Sequence, residues 1–223
     1  MIGGRFERQL PIFGEDGQER LMNVTVGVAG CGGLGVTLLT ELAEAGVSHF
    51  VLADPDYPEI SNLNRQFIYA MSDPRPKAEI CAQWITAINP LAEIEVHAES
   101  FREGTETMFD CCDIVADCLD NMKDRMRLAD YAYRSGKTLV HGGVCGLEGQ
   151  IAVSVPGRTP SLRDMIGTCK GDAEVPSVGA AVSAIASLEA MEVLKIASGI
   201  GTENEGKLVT IDLRSMTMER VGF

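Results

Sequence analysis

Gly30, Gly32 and Gly35 stand at the spacing of a G-x-G-x-x-G turn, after the apolar run Val26–Ala29 and at the opening of the amphipathic stretch Gly33–Ala45. Such a turn holds phosphate for a physical reason. Glycine reaches positive φ and has no Cβ, so backbone N–H groups can close on an anion. The helix behind it adds about half a positive charge at its N-terminus. Asp54 ends the next apolar run, where an acid in a dinucleotide-type fold accepts hydrogen bonds from ribose hydroxyls; a solvated turn carboxylate is the plainer reading. Asp56 divides evenly between a surface turn and the site. Alone, these residues admit nicotinamide, flavin or ATP.

Two cationic clusters narrow the choice. Asn62, Asn64, Arg65 and Gln66 lie together in the run Ser61–Gln66, and Arg75-Pro76-Lys77 opens the next helical pattern. A hydride-transfer enzyme has no use for this density of polar and cationic groups, whereas triphosphate chemistry must neutralise charge for in-line attack. Arg65 suits bidentate phosphate contacts and Lys77 a compact point charge. An ordinary first-turn lysine would oppose the helix dipole, which favours function for Lys77. The strand Ile114–Asp117 runs on to Asp120 and Asn121, so two acids stand at a strand's carboxyl end, where open α/β sheets bind ligands. Asp120 is either the N-cap of the helix that follows or a carboxylate near Mg2+ and phosphate.

The elements that would position these groups alternate. Strands are expected at Val24–Ala29, His49–Ala53, Glu93–Ala98, Ile114–Asp117, Thr138–His141, Gln150–Val155, Lys207–Asp212 and Thr217–Val221. Helices are expected at Gly33–Ala45, Lys77–Asn89, Met122–Ser135 and Ser177–Ser198. Alternation predicts an α/β, Rossmann-like, doubly wound and mainly parallel sheet, with closer-spaced strands adding an antiparallel extension at the C-terminal edge. Pro156–Pro176 lacks periodicity and reads as a crossover loop. In the last helix Val178, Val182, Ile185, Leu188 and Met191 form the expected buried stripe, among small residues that allow close helix approach in the core or at a dimer contact.

A formal net charge of −13 argues against nucleic acid or an anionic membrane as partner. There is no signal-peptide pattern and no apolar run of membrane-spanning length. Seven cysteines, an odd count without secretory context, point to a reducing cytoplasm. No C-x-x-C occurs and the three histidines are scattered, so a zinc site is not expected. Cys81, Cys111, Cys112 and Cys118 read as packing residues; Cys31 and Cys145 fall near the site without an assigned task.

Arg8-Gln9, then Gly30, Gly32, Gly33 and Gly35, then Asp54 and Asp56, Ser61–Gln66, Arg75-Pro76-Lys77, Asp120-Asn121 and Glu148-Gly149-Gln150 occur in this order. That ordered set resembles the ThiF/MoeB/HesA family of adenylyltransferases, relatives of the ubiquitin-activating enzymes, along nearly the whole chain. The resemblance implies a single adenylation domain: a helical arm (1–22), a nucleotide-binding half (23–142), and a crossover loop with a carrier-binding half (143–223). It implies ATP-dependent activation of the C-terminal glycine of a small ubiquitin-like (β-grasp) sulfur-carrier protein ending in Gly-Gly, with release of pyrophosphate. Carried over by position, Asp54 would hold the ribose, Arg65 and Lys77 the phosphates, with Asn62 and Gln66 in support, and Asp120 would position Mg2+ or the α-phosphate. Arg8 would reach the partner subunit's site, which implies a homodimer. Two features depart from the family pattern. Ser161–Asp164 stands where zinc-binding members carry a first C-x-x-C, and a second is missing; Cys169 is the nearest candidate for a reactive cysteine, on a loose match.

Competing readings remain at this point. A nicotinamide- or flavin-dependent oxidoreductase explains the glycine turn and Asp54 but not Arg65, Lys77 or Asp120. A member activating a small-molecule or tRNA-linked carboxylate fits the same residues, and a non-catalytic carrier-binding scaffold would fit the missing cysteines.

Overall fold

Val26, Val28, Phe50, Leu52 and Ile114 are too apolar to stay in water, and in the computed structural model, which describes residues 4–167 and 176–223, they lie buried on adjacent parallel strands. The strands are β1 (Thr25–Ala29), β2 (His49–Ala53), β3 (Glu93–His97), β4 (Ile114–Asp117), β5 (Thr138–Cys145), β6 (Glu148–Ser154), β7 (Lys207–Asp212) and β8 (Thr217–Gly222). They form one sheet in the order β3-β2-β1-β4-β5-β6-β7-β8. Pairings from β3 through β5 are parallel, and those from β5 through β8 antiparallel.

The helices are α1 (Leu10–Asn23), α2 (Gly33–Ala45), α3 (Lys77–Ile88), α4 (Met122–Arg134), α5 (Leu162–Ile166) and α6 (Gly179–Ser198). Side chains alternate across the strands, so the sheet carries a core on each face. Val28, Phe50 and Ile114 pack with Leu38 and Leu42 of α2 and Ile185 of α6. Val51, Val115 and Leu139 pack with Leu128 of α4 and the stacked rings of Phe101 and Phe109. The chain leaves β1 toward β2 on one side, and β4 takes its place on the other. The sheet order thus reverses between β1 and β4, and a crevice opens at their carboxyl ends.

Four expectations need correction. Within the crossover region, Leu162–Ile166 is a helical turn started by a capping box between Ser161 and Asp164, a local hydrogen-bond signal too short to register as periodicity. The buried side of α6 runs through Val182, Ile185, Glu189 and Val193, while Val178 and Met191 are exposed. A glutamate holds a core position there, which hides the stripe from any hydrophobicity reading. Cys111 is exposed rather than packed. β5 also runs four residues past His141, because its hairpin with β6 supplies partners through Cys145. No helix among the described residues is long and apolar enough to cross a membrane.

Candidate functional site

The glycine turn occupies the crevice between β1 and β4. Gly30 has φ +98, and a Cβ there would come within 2.6 Å of the Cys118 carbonyl oxygen. A Cβ on Gly35 would run into the Gly30 carbonyl, and one on Gly33 would sit 2.8 Å from Val182 Cγ1. These three glycines are spoken for by the fold. Gly32 is different, because a Cβ there would meet only Gln66 Nε2 at 3.5 Å, an ordinary contact. Gly32 is partly exposed at the N-terminus of α2, which no side chain caps.

Asp54 is buried, and it braces the turn. Its Oδ2 accepts the Cys31 N–H at 2.7 Å and its Oδ1 the Asp56 N–H at 2.8 Å. Burial pushes its carboxyl above the usual aspartate range, while those two N–H groups and Lys77 pull it back. Tyr69 steadies the same turn by donating to the Cys31 carbonyl at 2.6 Å, and its hydroxyl lies 3.1 Å from Cys81 Sγ. The hydrogen bond with Cys81 and burial raise the Cys31 thiol well above normal, so Cys31 is not a thiolate nucleophile.

The cations arrange themselves around this turn. Lys77 has a side chain only 6% exposed, and its Nζ pairs with Asp56 Oδ2 at 3.1 Å. Its backbone N–H also donates to the Asp56 carbonyl at 2.8 Å, so the two residues are locked together. Arg65 comes from the turn after a 3-10 segment at Ile60–Asn62 and lies against Gly33. Its Nη1 donates to the Ser61 carbonyl and to Asn64 Oδ1, at 2.9 and 2.8 Å. Asn62 is buried, and its side chain caps that segment by accepting the Glu59 N–H. Gln66 is buried with its Nε2 toward Gly32, and its Oε1 has no partner among the described residues. A buried amide oxygen without a donor is costly, so this is a place where a ligand hydroxyl, amine or water belongs. Arg75, by contrast, is committed to Asp73 and Gln83.

Asp120 is exposed on the loop after β4 and has no partner among the described residues. The N-cap of α4 is Asn121, whose Oδ1 accepts the Asp124 N–H at 2.9 Å, so Asp120 is free of that task. Arg8 is exposed before α1 and likewise makes no hydrogen bond or ion pair among the described residues. Cys169 lies outside the described residues.

One group escaped the sequence reading. Asp117, His141 and Arg125 are buried together beneath the Asp120 loop, with Gln150 reaching His141 from β6. The signal was weak: an acid at a strand end, and a histidine that gains its neighbour only through the parallel register of β4 on β5, which sets Asp117 beside His141.

Chemically, the arrangement offers backbone N–H groups, a lysine, an arginine, an unsatisfied amide oxygen and a free carboxylate around one crevice. That donor set suits a nucleoside triphosphate. The carboxylate is a hard oxygen donor of the kind Mg2+ prefers.

Residues 6–222 match the model of the ThiF family. The chain is 34% identical to a sulfur carrier protein adenylyltransferase of Thermus thermophilus, over 97% of this chain and 87% of that one. It is 33% identical to a SAMP-activating enzyme E1 of Haloferax volcanii, over 94% of this chain and 80% of that one. It is also 33% identical to a probable adenylyltransferase/sulfurtransferase, MoeZ, of Mycobacterium tuberculosis, but there it spans 97% of itself and only 59% of the longer relative. Among solved structures, E. coli MccB crystallised with ATP superposes with a TM-score of 0.87 at 19% identity, over 99% of this chain and 72% of that one. This last likeness is one of fold.

Proposed function

This chain belongs to the ThiF family, and on that footing we propose that it is an ATP-dependent adenylyltransferase acting on the C-terminal glycine carboxylate of a small ubiquitin-like sulfur-carrier protein. Family membership and the identity to carrier-protein adenylyltransferases support the reaction class. The observation that carries the reading to these residues is the pairing at the glycine turn: Gly32 with an open flank, and the buried Gln66 Oε1 without a donor beside it.

In this reading the turn's N–H groups and the start of α2 receive phosphate. Asp54 holds the ribose with lone pairs left after bracing the turn, and Asp56 keeps Lys77 in place. Lys77 and Arg65 carry phosphate charge, and Asn62 holds the segment that aims Arg65. Mg2+, when bound, neutralises charge on the triphosphate, with Asp120 as its protein ligand. The carrier's carboxylate oxygen bonds to the α-phosphorus, the bond from that phosphorus to the bridging oxygen breaks, and pyrophosphate leaves. No protein nucleophile takes part; alignment and charge stabilisation supply the rate. The protein works as a homodimer, with Arg8 serving the partner's site, in the cytoplasm.

ATP–pyrophosphate exchange tests this directly, with a panel of small β-grasp proteins ending in Gly-Gly. Exchange should require one of them together with its terminal glycine, and Asp120→Ala should lower it by roughly a thousandfold, the scale of losing a group that stabilises transition-state charge, without shifting the melting temperature. Mg-ATP binding with no exchange on any member of the panel would refute the carrier as substrate, and full exchange by a folded Asp120→Ala would refute the role of Asp120.

A further inference from the structure

The loop that carries Asp120 must hold still if Asp120 is to act, and buried polar groups from β4, α4 and β5 converge on the residue before it. Asp117, fully buried at the end of β4, accepts the Leu119 N–H through Oδ1 at 3.2 Å. Its Oδ2 accepts the Arg125 Nε–H at 2.9 Å and the His141 Nδ1–H at 2.7 Å. Arg125, on α4, also donates to the Leu119 carbonyl. Both backbone polar groups of Leu119 are therefore clamped. On the far side of the ring, Gln150 Nε2 lies 3.0 Å from His141 Nε2. With the Gln150 amide nitrogen facing the ring and burial disfavouring the imidazolium, the arrangement without a donor–donor clash is neutral His141 giving Nδ1–H to Asp117 and accepting from the Gln150 amide.

The charges balance. Arg125 and Asp117 are an ion pair, and the other titratable groups facing them, Cys118 and Glu189, are held neutral by burial. A buried pair of this kind adds little net stability over apolar residues of the same volume. What a fully partnered network does supply is a single geometry.

We propose that Asp117, Arg125 and His141 are positioning residues for Asp120, with Gln150 closing the network from β6; this rests on the reading of Asp120 given above. They touch no reacting atom and act by fixing Leu119.

The test is a double-mutant cycle in ATP–pyrophosphate exchange, run with a Gly-Gly-terminated β-grasp protein that supports exchange. Arg125→Lys keeps a charge beside Asp117 but loses the planar fork that also reaches Leu119. It should lower kcat by roughly tenfold and leave the KM for Mg-ATP within about twofold, with an unchanged melting temperature. His141→Leu should lose about as much, whereas His141→Asn, which keeps an N–H toward Asp117, should restore kcat to within about threefold. In an Asp120→Ala background, Arg125→Lys should cost nothing further, because it acts through a group already gone. The same loss in both backgrounds overturns the proposal. An unchanged kcat in Arg125→Lys, while Asp120→Ala is inactive, overturns this proposal alone. Full exchange by Asp120→Ala overturns both it and the reading beneath it. Nitrogen NMR of the free enzyme gives a readout that needs no carrier: His141 should be protonated at Nδ1 and bare at Nε2 from about pH 6 to 8. The opposite tautomer overturns the network.

Discussion

Glu189 lies in the middle of α6 with its carboxyl 3.6 and 3.7 Å from the Cys118 thiol, its one hydrogen-bond contact among the described residues. Burial, reinforced by the negative charge of Asp117, holds its pKa well above the usual glutamate value, so the folded protein keeps a proton that the unfolded chain gives up. Folding stability is then lost as pH rises past the ordinary value, by about 1.4 kcal/mol per unit until the folded pKa is reached. Asp117 works in the opposite sense: Arg125 and His141 outweigh its burial and depress its pKa. Its contribution is present above the ordinary aspartate value and fails only as pH falls through the lower folded one. Burial also lowers the His141 pKa, which costs stability as pH falls below the ordinary histidine value of about 6.5; above that value His141 is neutral folded or unfolded, and the loss of stability with rising pH through Glu189 is unopposed by it. Glu189→Gln, which imitates the protonated acid, should raise the melting temperature by several degrees near pH 8 and hardly at all near pH 4, at about 3 °C per kcal/mol for a chain of this size. Thermal melts at the two pH values decide it; an equal shift at both would assign the effect to packing. None of this was visible in the sequence, where the three histidines read as scattered and no acid in the last helix stands out as buried.

At the scale of the element, the turn from β1 into α2 was legible because it is local. Four glycines, an apolar strand before them and an amphipathic helix after them define it within twenty residues. β2, β4 and β7 fall at their expected bounds for the same reason. The hairpin extension of β5, the helical turn at Leu162–Ile166 and the buried face of α6 depend on partners distant in sequence, and those the pattern could not supply. What the sequence also could not separate was which glycines serve the fold and which the ligand. In the structure Gly30, Gly33 and Gly35 each face a neighbour closer than a Cβ allows, which ties them to the fold, and Gly32 does not. Gly32→Ala should accordingly fold with a melting temperature within about 2 °C of the parent, yet bind Mg-ATP at least roughly tenfold more weakly, because the added methyl takes the space a phosphate needs. Calorimetric titration beside a thermal melt checks both halves. Parental affinity in a folded Gly32→Ala would mean that the triphosphate does not approach this turn.

For the whole molecule the decisive fact is the distance between Arg8 and its own glycine turn. Gln9 donates from its Nε2 to the Ala45 carbonyl at 2.7 Å and to Gln18, which pins the start of the arm beside the C-terminus of α2. The glycine turn lies at the opposite end of that 13-residue helix, roughly 20 Å away at the rise of an α-helix. An arginine side chain does not bridge that gap, so if Arg8 serves a site, the site belongs to another copy of the chain. Such sharing has a signature that no single mutant reveals. Arg8→Ala leaves its own Asp120 intact and lacks only what a partner can lend; Asp120→Ala lacks the carboxylate but can lend its arginine. Each should be nearly inactive as a homodimer. Mixed in equal amounts and allowed to exchange subunits, they form half heterodimers, each with one complete site, so exchange activity should recover to about a quarter of the parental value. Titrating one variant into the other in the ATP–pyrophosphate assay, with the dimer verified by light scattering, reads the recovery directly. Recovery that never exceeds the sum of the two separate variants, despite proven subunit exchange, would confine Arg8 to its own surface and leave the site built from one chain.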